Sequence, residues 1–231
     1  MPQISDKTSE KPKRLVRSDA RRAIRRGTIH GVIFGAIMTF LLAAGSIANA
    51  TEAETLFVAL GEDTRAPVGW VEFCNEHADE CPDENSEARD ILLTPQVWKD
   101  LVRVNRWVNK TIKPMTDLAQ WGVVEKWSYP DTGYGDCEDY VLLKRRMLIE
   151  AGWPRAALLI TVVREQNGNG HAVLTVKTNK GEFVLDNQNE EILLWSATTY
   201  RFVKRQSQEN ANIWVTLDDP RPAPPITATS R

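Results

Sequence analysis

One strongly helical stretch, residues 136–151, runs directly into three strand-like stretches joined by tight turns, and this order limits the fold more than any other feature. In the helix, Val141, Leu142, Met147, Leu148 and Ala151 mark a buried stripe. Lys144-Arg145-Arg146 is read as an outer face, and Gly152 with Pro154 ends the element. Acidic residues fill its first turn and basic ones its second half, as the helix dipole prefers. The strands are read at 157–163, nearly all apolar, and at 171–177 and 182–187, both alternating. Gln166-Asn167-Gly168-Asn169-Gly170 turns the first into the second, and Asn179-Lys180-Gly181 the second into the third. Hairpin-joined strands run antiparallel, so the expectation is an α+β protein with this helix packed on an antiparallel β-sheet.

Upstream, Val97, Leu101, Val104, Trp107 and Val108 recur at helical spacing over 92–113, with Thr94-Pro95 as the start signal. A shorter helical stretch is expected at 115–119, and 121–135 reads as an aromatic, turn-rich approach to the main helix. Further strands are expected near 199–205 and 213–217. Residues 51–90 read as a loop-rich entry, 91–217 as the domain proper, and 218–231, with four prolines, as an unstructured tail.

Cys137 stands at the start of the main helix, within Gly135-Asp136-Cys137-Glu138-Asp139-Tyr140. Unsatisfied backbone N–H groups and the positive end of the dipole favour thiolate over thiol there. His171 and Asp186 follow on two consecutive strands. If Asn179-Lys180 is a two-residue hairpin loop, Thr178 pairs Gly181, and Lys177 faces Glu182 as a salt-bridge pair. Val176 then faces Phe183, and Leu174 faces Leu185. This register puts His171 and Asp186 on one face as diagonal neighbours, about 7–8 Å apart at the backbone. A bulged three-residue loop would send Asp186 to the other face. In acyl transfer, Cys137 would be the nucleophile, His171 the group that protonates the leaving amine, and Asp186 the carboxylate that fixes the ring tautomer. The expected oxyanion donors are the Cys137 N–H and one group from the preceding segment, with Asn105, Trp121 and Trp127 as candidates. Each residue also has an ordinary explanation: a small buried thiol, a strand-edge His, a strand-end Asp.

Asp136, Glu138 and Asp139 crowd the sulfur and would raise its pKa, the wrong direction for a nucleophile. Helix capping by Asp136 accounts for one of them. A bound Ca²⁺ would neutralise all three, and a solvated acidic helix start is the alternative.

Six arginines in the first 26 residues, an apolar stretch at 31–45 and Ala48-Asn49-Ala50 have the order of a secretory signal peptide over 1–50, with an uncleaved anchor as its rival. Cleavage leaves 20 Lys and Arg against 28 Asp and Glu, about −8, which argues against a nucleic-acid partner. Export to the periplasm suits a disulfide between Cys74 and Cys81; metal binding by Cys74, His77 and Cys81 competes, on a spacing unlike common zinc sites.

The run around Cys137, with His171-Ala172-Val173-Leu174 and Val184-Leu185-Asp186-Asn187, resembles the bacterial transglutaminase-like cysteine proteinase family, whose best-studied type is the LapG-type periplasmic protease. The resemblance covers roughly 98–214. It implies a papain-like/transglutaminase-like fold, a Cys137–His171–Asp186 triad, and Ca²⁺ bound near the nucleophile at Asp136, Glu138 and Asp139. It also implies a large surface adhesin as substrate, cut at paired alanines, and sequestration of the enzyme by an inner-membrane cyclic di-GMP receptor. Beside a calcium-dependent endopeptidase acting on an envelope protein stand two further readings. One is a transglutaminase-type acyl transferase or amidase using the same thioester; the other is a non-catalytic binding module.

Overall fold

The computed structural model describes residues 55–82, 85 and 87–222. The leader read at 1–50 lies outside the described residues. The chain forms β1 (Ala59–Thr64), α1 (Val68–Glu76), α2 (Pro95–Thr111), β2 (Lys113–Pro114), α3 (Asp117–Trp121), β3 (Tyr134–Gly135) and α4 (Cys137–Glu150). Then come β4 (Leu158–Arg164), β5 (Gly170–Thr178), β6 (Gly181–Leu185), β7 (Leu193–Leu194), β8 (Arg201–Gln206) and β9 (Trp214–Asp218). Seven strands make one sheet in the order β1-β9-β8-β4-β5-β6-β7, with every pairing antiparallel. The α+β architecture expected from the sequence is the one observed. Among the described residues, no helix is long and apolar enough to cross a membrane.

The β5–β6 hairpin takes the two-residue loop: Thr178 opposes Gly181, Lys177 opposes Glu182, Val176 opposes Phe183 and Leu174 opposes Leu185. Gly181 has φ +121°, and a Cβ there would press on Leu194 at 2.8 Å and the Leu56 carbonyl at 3.0 Å, so glycine sets this turn. Lys177 and Glu182 are in register but do not pair. Glu182 is buried and sits 2.8 Å from the equally buried Arg205, a guanidinium that needs a counter-charge, and Lys177 turns to Asp90 at 3.7 Å.

The sheet separates two apolar layers. On one side α4 and α2 lie over Ala172, Leu174, Val176 and Leu185; on the other, Val163, Val173, Val184, Trp195 and Phe202 form a smaller cluster. α2 begins as Thr94-Pro95 indicated, with Thr94 Oγ1 accepting from Val97 N–H at 3.2 Å.

Three expectations are corrected. Lys144 and Arg145 are not on an outer face: they are 0% and 2% exposed, because α4 is covered on several sides. Arg145 donates to the Leu158 carbonyl at 3.1 Å and lies 3.2 Å from Glu80, which also holds Arg155 at 2.7 Å. The entry segment is not mainly loop; β1 adds an edge strand, and α1 buries Gly69, Trp70 and Phe73 along one face. The start of the tail is held: Asp219 accepts from Phe202 N–H at 2.8 Å and pairs with Arg221 at 2.7 Å.

Cys74 and Cys81 are joined, S–S 2.01 Å, around a short 3₁₀ turn, Ala78–Glu80. A metal site at Cys74, His77 and Cys81 is thereby excluded, since a disulfide sulfur is not a thiolate ligand.

Candidate active site

Cys137 is the first residue of α4 and the only cysteine outside the disulfide. Gly135, two residues before it, allows the helix start to fold tightly, since a Cβ there would meet the Asp139 carboxylate at 2.6 Å. Asp136 occupies the N-cap position without capping the helix. Its Oδ2 instead accepts from the Asp117 N–H at 3.3 Å, which overturns the capping explanation for this acid.

His171, the second residue of β5, is 4% exposed, and its Nε2 lies 2.9 Å from Asp186 Oδ1. Asp186 follows β6 and is fastened on all sides. Oδ1 accepts from Gln188 N–H at 2.9 Å, Oδ2 from the Tyr200 hydroxyl at 2.5 Å, and its carbonyl from Asn109 Nδ2 at 2.8 Å. Burial works to raise its pKa, but the hydrogen bonds from His171, Tyr200 and Gln188 outweigh it and hold the carboxyl below its usual range. With Nε2 committed to Asp186, Nδ1 is the nitrogen left for a thiol; it lies 3.4 Å from Gln188 Nε2.

Cys137 and His171 line one cleft of about 340 Å³, walled by Met115, Thr116, Asn187 and Gln188. The sulfur donates to Glu138 Oε2 at 3.1 Å. Burial, then the charge and hydrogen bond of Glu138, push the thiol far up, while a hydrogen bond from the Ala172 backbone works the other way. The three side chains proposed as oxyanion donors stand elsewhere. Asn105 is buried and donates to the Glu190 carbonyl at 3.1 Å. Trp127 donates to Glu125 at 2.8 Å inside a cluster with Trp70 and Trp214, and Trp121 is exposed beneath Lys126.

Beside the sulfur, oxygens of Asp117, Asp136 and Glu138 lie within 4.8 Å of one another. Asp139 is turned differently: its Oδ1 accepts from Ser128 N–H at 2.8 Å. Burial is the main cause that raises all four carboxyls, Glu138 to about 9 and Asp139 to about 7, with the Asp136 charge adding to both. Asp117 Oδ1, Asp136 Oδ1 and Asp139 Oδ2 are buried without a hydrogen-bond donor. An all-oxygen set of crowded acids, each resisting ionisation, fits a hard divalent cation.

Asp117 was not identifiable from the sequence. The parallel pairing of β2 with β3, Lys113 opposite Tyr134 and Pro114 opposite Gly135, carries it beside Asp136, and locally it reads only as an acid in a helix's first turn. Tyr200 likewise reaches Asp186 through a tertiary contact with no sequence signal, and Gln188 reaches Asp186 locally by its N–H and His171 across the hairpin by its side chain.

A comparison with curated protein sequences gives no match. Among solved structures the chain is similar to Legionella pneumophila LapG: 26% identity over 51% of this chain and 68% of that one, TM-score 0.44. The calcium-bound form gives 23% identity over 58% and 75%, TM-score 0.46. The EGTA-treated form gives 26% over 53% and 72%, TM-score 0.44. The profile of the bacterial transglutaminase-like cysteine proteinases (Peptidase_C93) matches residues 60–222, a stretch that holds the whole cleft and the acidic trio. On that match the chain belongs to the bacterial transglutaminase-like cysteine proteinase family: it is a cysteine peptidase, and its substrate is a protein.

Proposed function

We propose that this peptidase is exported to the periplasm, depends on calcium, and cuts a cell-envelope protein through Cys137, His171 and Asp186. One observation carries the reading: the His171–Asp186 hydrogen bond, 2.9 Å, made by a ring that shares a cleft with the free thiol. The disulfide supports an oxidising compartment, as does the leader read in the sequence. A large surface adhesin as substrate and an inner-membrane cyclic di-GMP receptor as partner follow from the resemblance alone.

The chemistry needs only Cys137, His171 and the acids around them. His171 Nδ1 takes the thiol proton as the Cys137 sulfur attacks the scissile carbonyl carbon, and the carbonyl electrons move to oxygen, to which the Cys137 N–H would donate. Collapse expels the amine, which takes its proton from His171, and a thioester remains. Water then attacks the thioester, His171 takes a proton from that water, and the sulfur departs and recovers that proton from His171. Asp186 keeps Nε2 protonated throughout and so leaves Nδ1 facing the chemistry. Asp117, Asp136 and Glu138 would hold Ca²⁺, whose charge favours a thiolate beside it.

The test compares new protein termini, by mass spectrometry, on cells carrying the wild-type enzyme and Cys137→Ala. The expected result is a set of cleavages absent from the variant and from EGTA-treated cells; identical termini reject the proposal. Capture of an added amine without chain cleavage would assign the thioester to acyl transfer instead.

A further inference from the structure

The outer face of α2 carries a charge pattern that packing does not explain. Lys99, Arg103, Arg106 and Lys110 stand at i, i+4, i+7 and i+11, all exposed, opposite the buried Leu101, Val104, Asn105 and Val108. At 1.5 Å per residue they form one stripe about 16 Å long. Asp100 is the only acid of the helix, and it is turned to Gln96 and Arg103, each at 3.2 Å. The side chains of Lys99, Arg106 and Lys110 make no hydrogen bond or ion pair among the described residues. Glu190 and Glu191 lie on the loop that Asn105 holds against α2, yet neither forms an ion pair with the stripe. Like charges at these spacings repel, so the stripe weakens the helix that bears it. It also runs against the overall charge, since beyond residue 50 the chain holds 28 Asp and Glu against 20 Lys and Arg. Trp107, 49% exposed, flanks it, four residues after Arg103 and three before Lys110. Tryptophan and arginine side by side on a surface are the composition of a binding face.

The stripe leads to the cleft. α2 ends at Thr111, and the chain runs on through Ile112 and the exposed Lys113 and Pro114 into Met115 and Thr116, which wall the cleft. Lys113 opposes Tyr134 in the β2–β3 ladder, three residues before Cys137, and its Nζ lies 5.7 Å over that ring. The cleft itself is lined by Asp136 and Glu165, so an acidic segment is repelled there and attracted to α2.

We propose that this face of α2 is a docking site for an acidic stretch of the protein substrate, about five to seven residues in extended form, which seats the substrate while its scissile bond lies in the cleft. This rests on the peptidase reading given above. A membrane surface or a nucleic acid would also meet the four bases, but neither accounts for a stripe that runs into a peptidase cleft.

Fluorescence anisotropy of a fluorescein-labelled peptide of alternating Glu and Ser, about seven residues long, on the Cys137→Ala enzyme tests this without cleavage. Binding should weaken as salt rises, and the same peptide with Gln in place of Glu should not bind. The combined variant Lys99→Gln/Arg103→Gln/Arg106→Gln/Lys110→Gln should lose about tenfold or more in affinity while melting no lower than its parent. Absence of binding, or binding that the four changes leave undiminished, overturns the proposal. So does capture by phosphatidylglycerol vesicles through the same four residues without peptide binding, which would make the stripe a membrane face. If the fourfold variant does not fold, Lys99→Gln/Arg103→Gln and Arg106→Gln/Lys110→Gln carry the comparison in two halves. On cells, an acidic run is expected within roughly ten residues of the new termini, and termini with none overturn the proposal. Termini identical in wild type and Cys137→Ala would instead reject the peptidase reading, a failure that the binding measurement does not share.

Discussion

His171 Nε2, on β5, and Asp186 Oδ1, just past the end of the neighbouring antiparallel strand β6, lie 2.9 Å apart, and Tyr200 closes on the other carboxylate oxygen at 2.5 Å. The imidazole is thus held from behind by a carboxylate that cannot turn away. Asp186→Asn keeps the shape but permits the wrong tautomer, so kcat should fall by about a thousandfold or more with little change in thermal midpoint. Tyr200→Phe removes one of several hydrogen bonds to the same group and should cost about tenfold. Steady-state kinetics on a cleaved peptide, beside a melting curve, checks both.

Cation binding is expected to depend more on Asp117 than on Asp139. Asp117 belongs to the trio within 4.8 Å, whereas Asp139 is engaged by Ser128. Titration calorimetry should show calcium affinity falling by about tenfold or more in Asp117→Asn and by less in Asp139→Asn. Equal losses would place Asp139 in the binding set.

The acidic cluster also fixes a pH trend. Burial raises Glu138 to about 9 and Asp139 to about 7. Groups raised in the folded state hold protons there that the unfolded chain has released, so their stabilisation is complete below the ordinary carboxylate range and is lost as pH climbs through the folded values. The chelated protein should therefore melt at steadily lower temperature from about pH 5 to 9, and calcium should flatten the trend by replacing those protons. A flat profile under chelation would contradict the burial of these acids.

Glu80 should matter out of proportion to its surface position. It meets Arg145, 2% exposed, at 3.2 Å and Arg155 at 2.7 Å. Glu80→Ala leaves a buried guanidinium without its counter-charge and should cost about 3 kcal/mol in urea unfolding. Reducing the Cys74–Cys81 bond should cost about 2–3 kcal/mol on chain entropy, because the ring that closes is short.

Most of the frame could be read from residue pattern. Alternation in β5 and β6 with the Asn179-Lys180 turn gave the register, and the register put His171 and Asp186 on one face. What stayed hidden depends on contacts between distant segments. Lys144-Arg145-Arg146 looks like a solvated run because its cover comes from α2, the sheet and the disulfide ring, none of which is local. Asp136 has the residue type and position of a cap, yet its carboxylate follows Asp117, a residue 19 positions earlier. Asn105, Trp121 and Trp127 were near enough in the chain to serve the cleft, but burial or a neighbouring partner takes each of them away from it.

The two-residue parallel ladder of β2 with β3 ties the ends of a long excursion, and Asp117 and Asp136 both follow the C-terminal ends of its strands and meet there. A cation gripped by both would act as a clasp on the excursion, tightening the same junction from which the thiol-bearing helix departs. The concentration of such a cation would then set how firmly the platform of Cys137 is assembled, besides setting the charge around it.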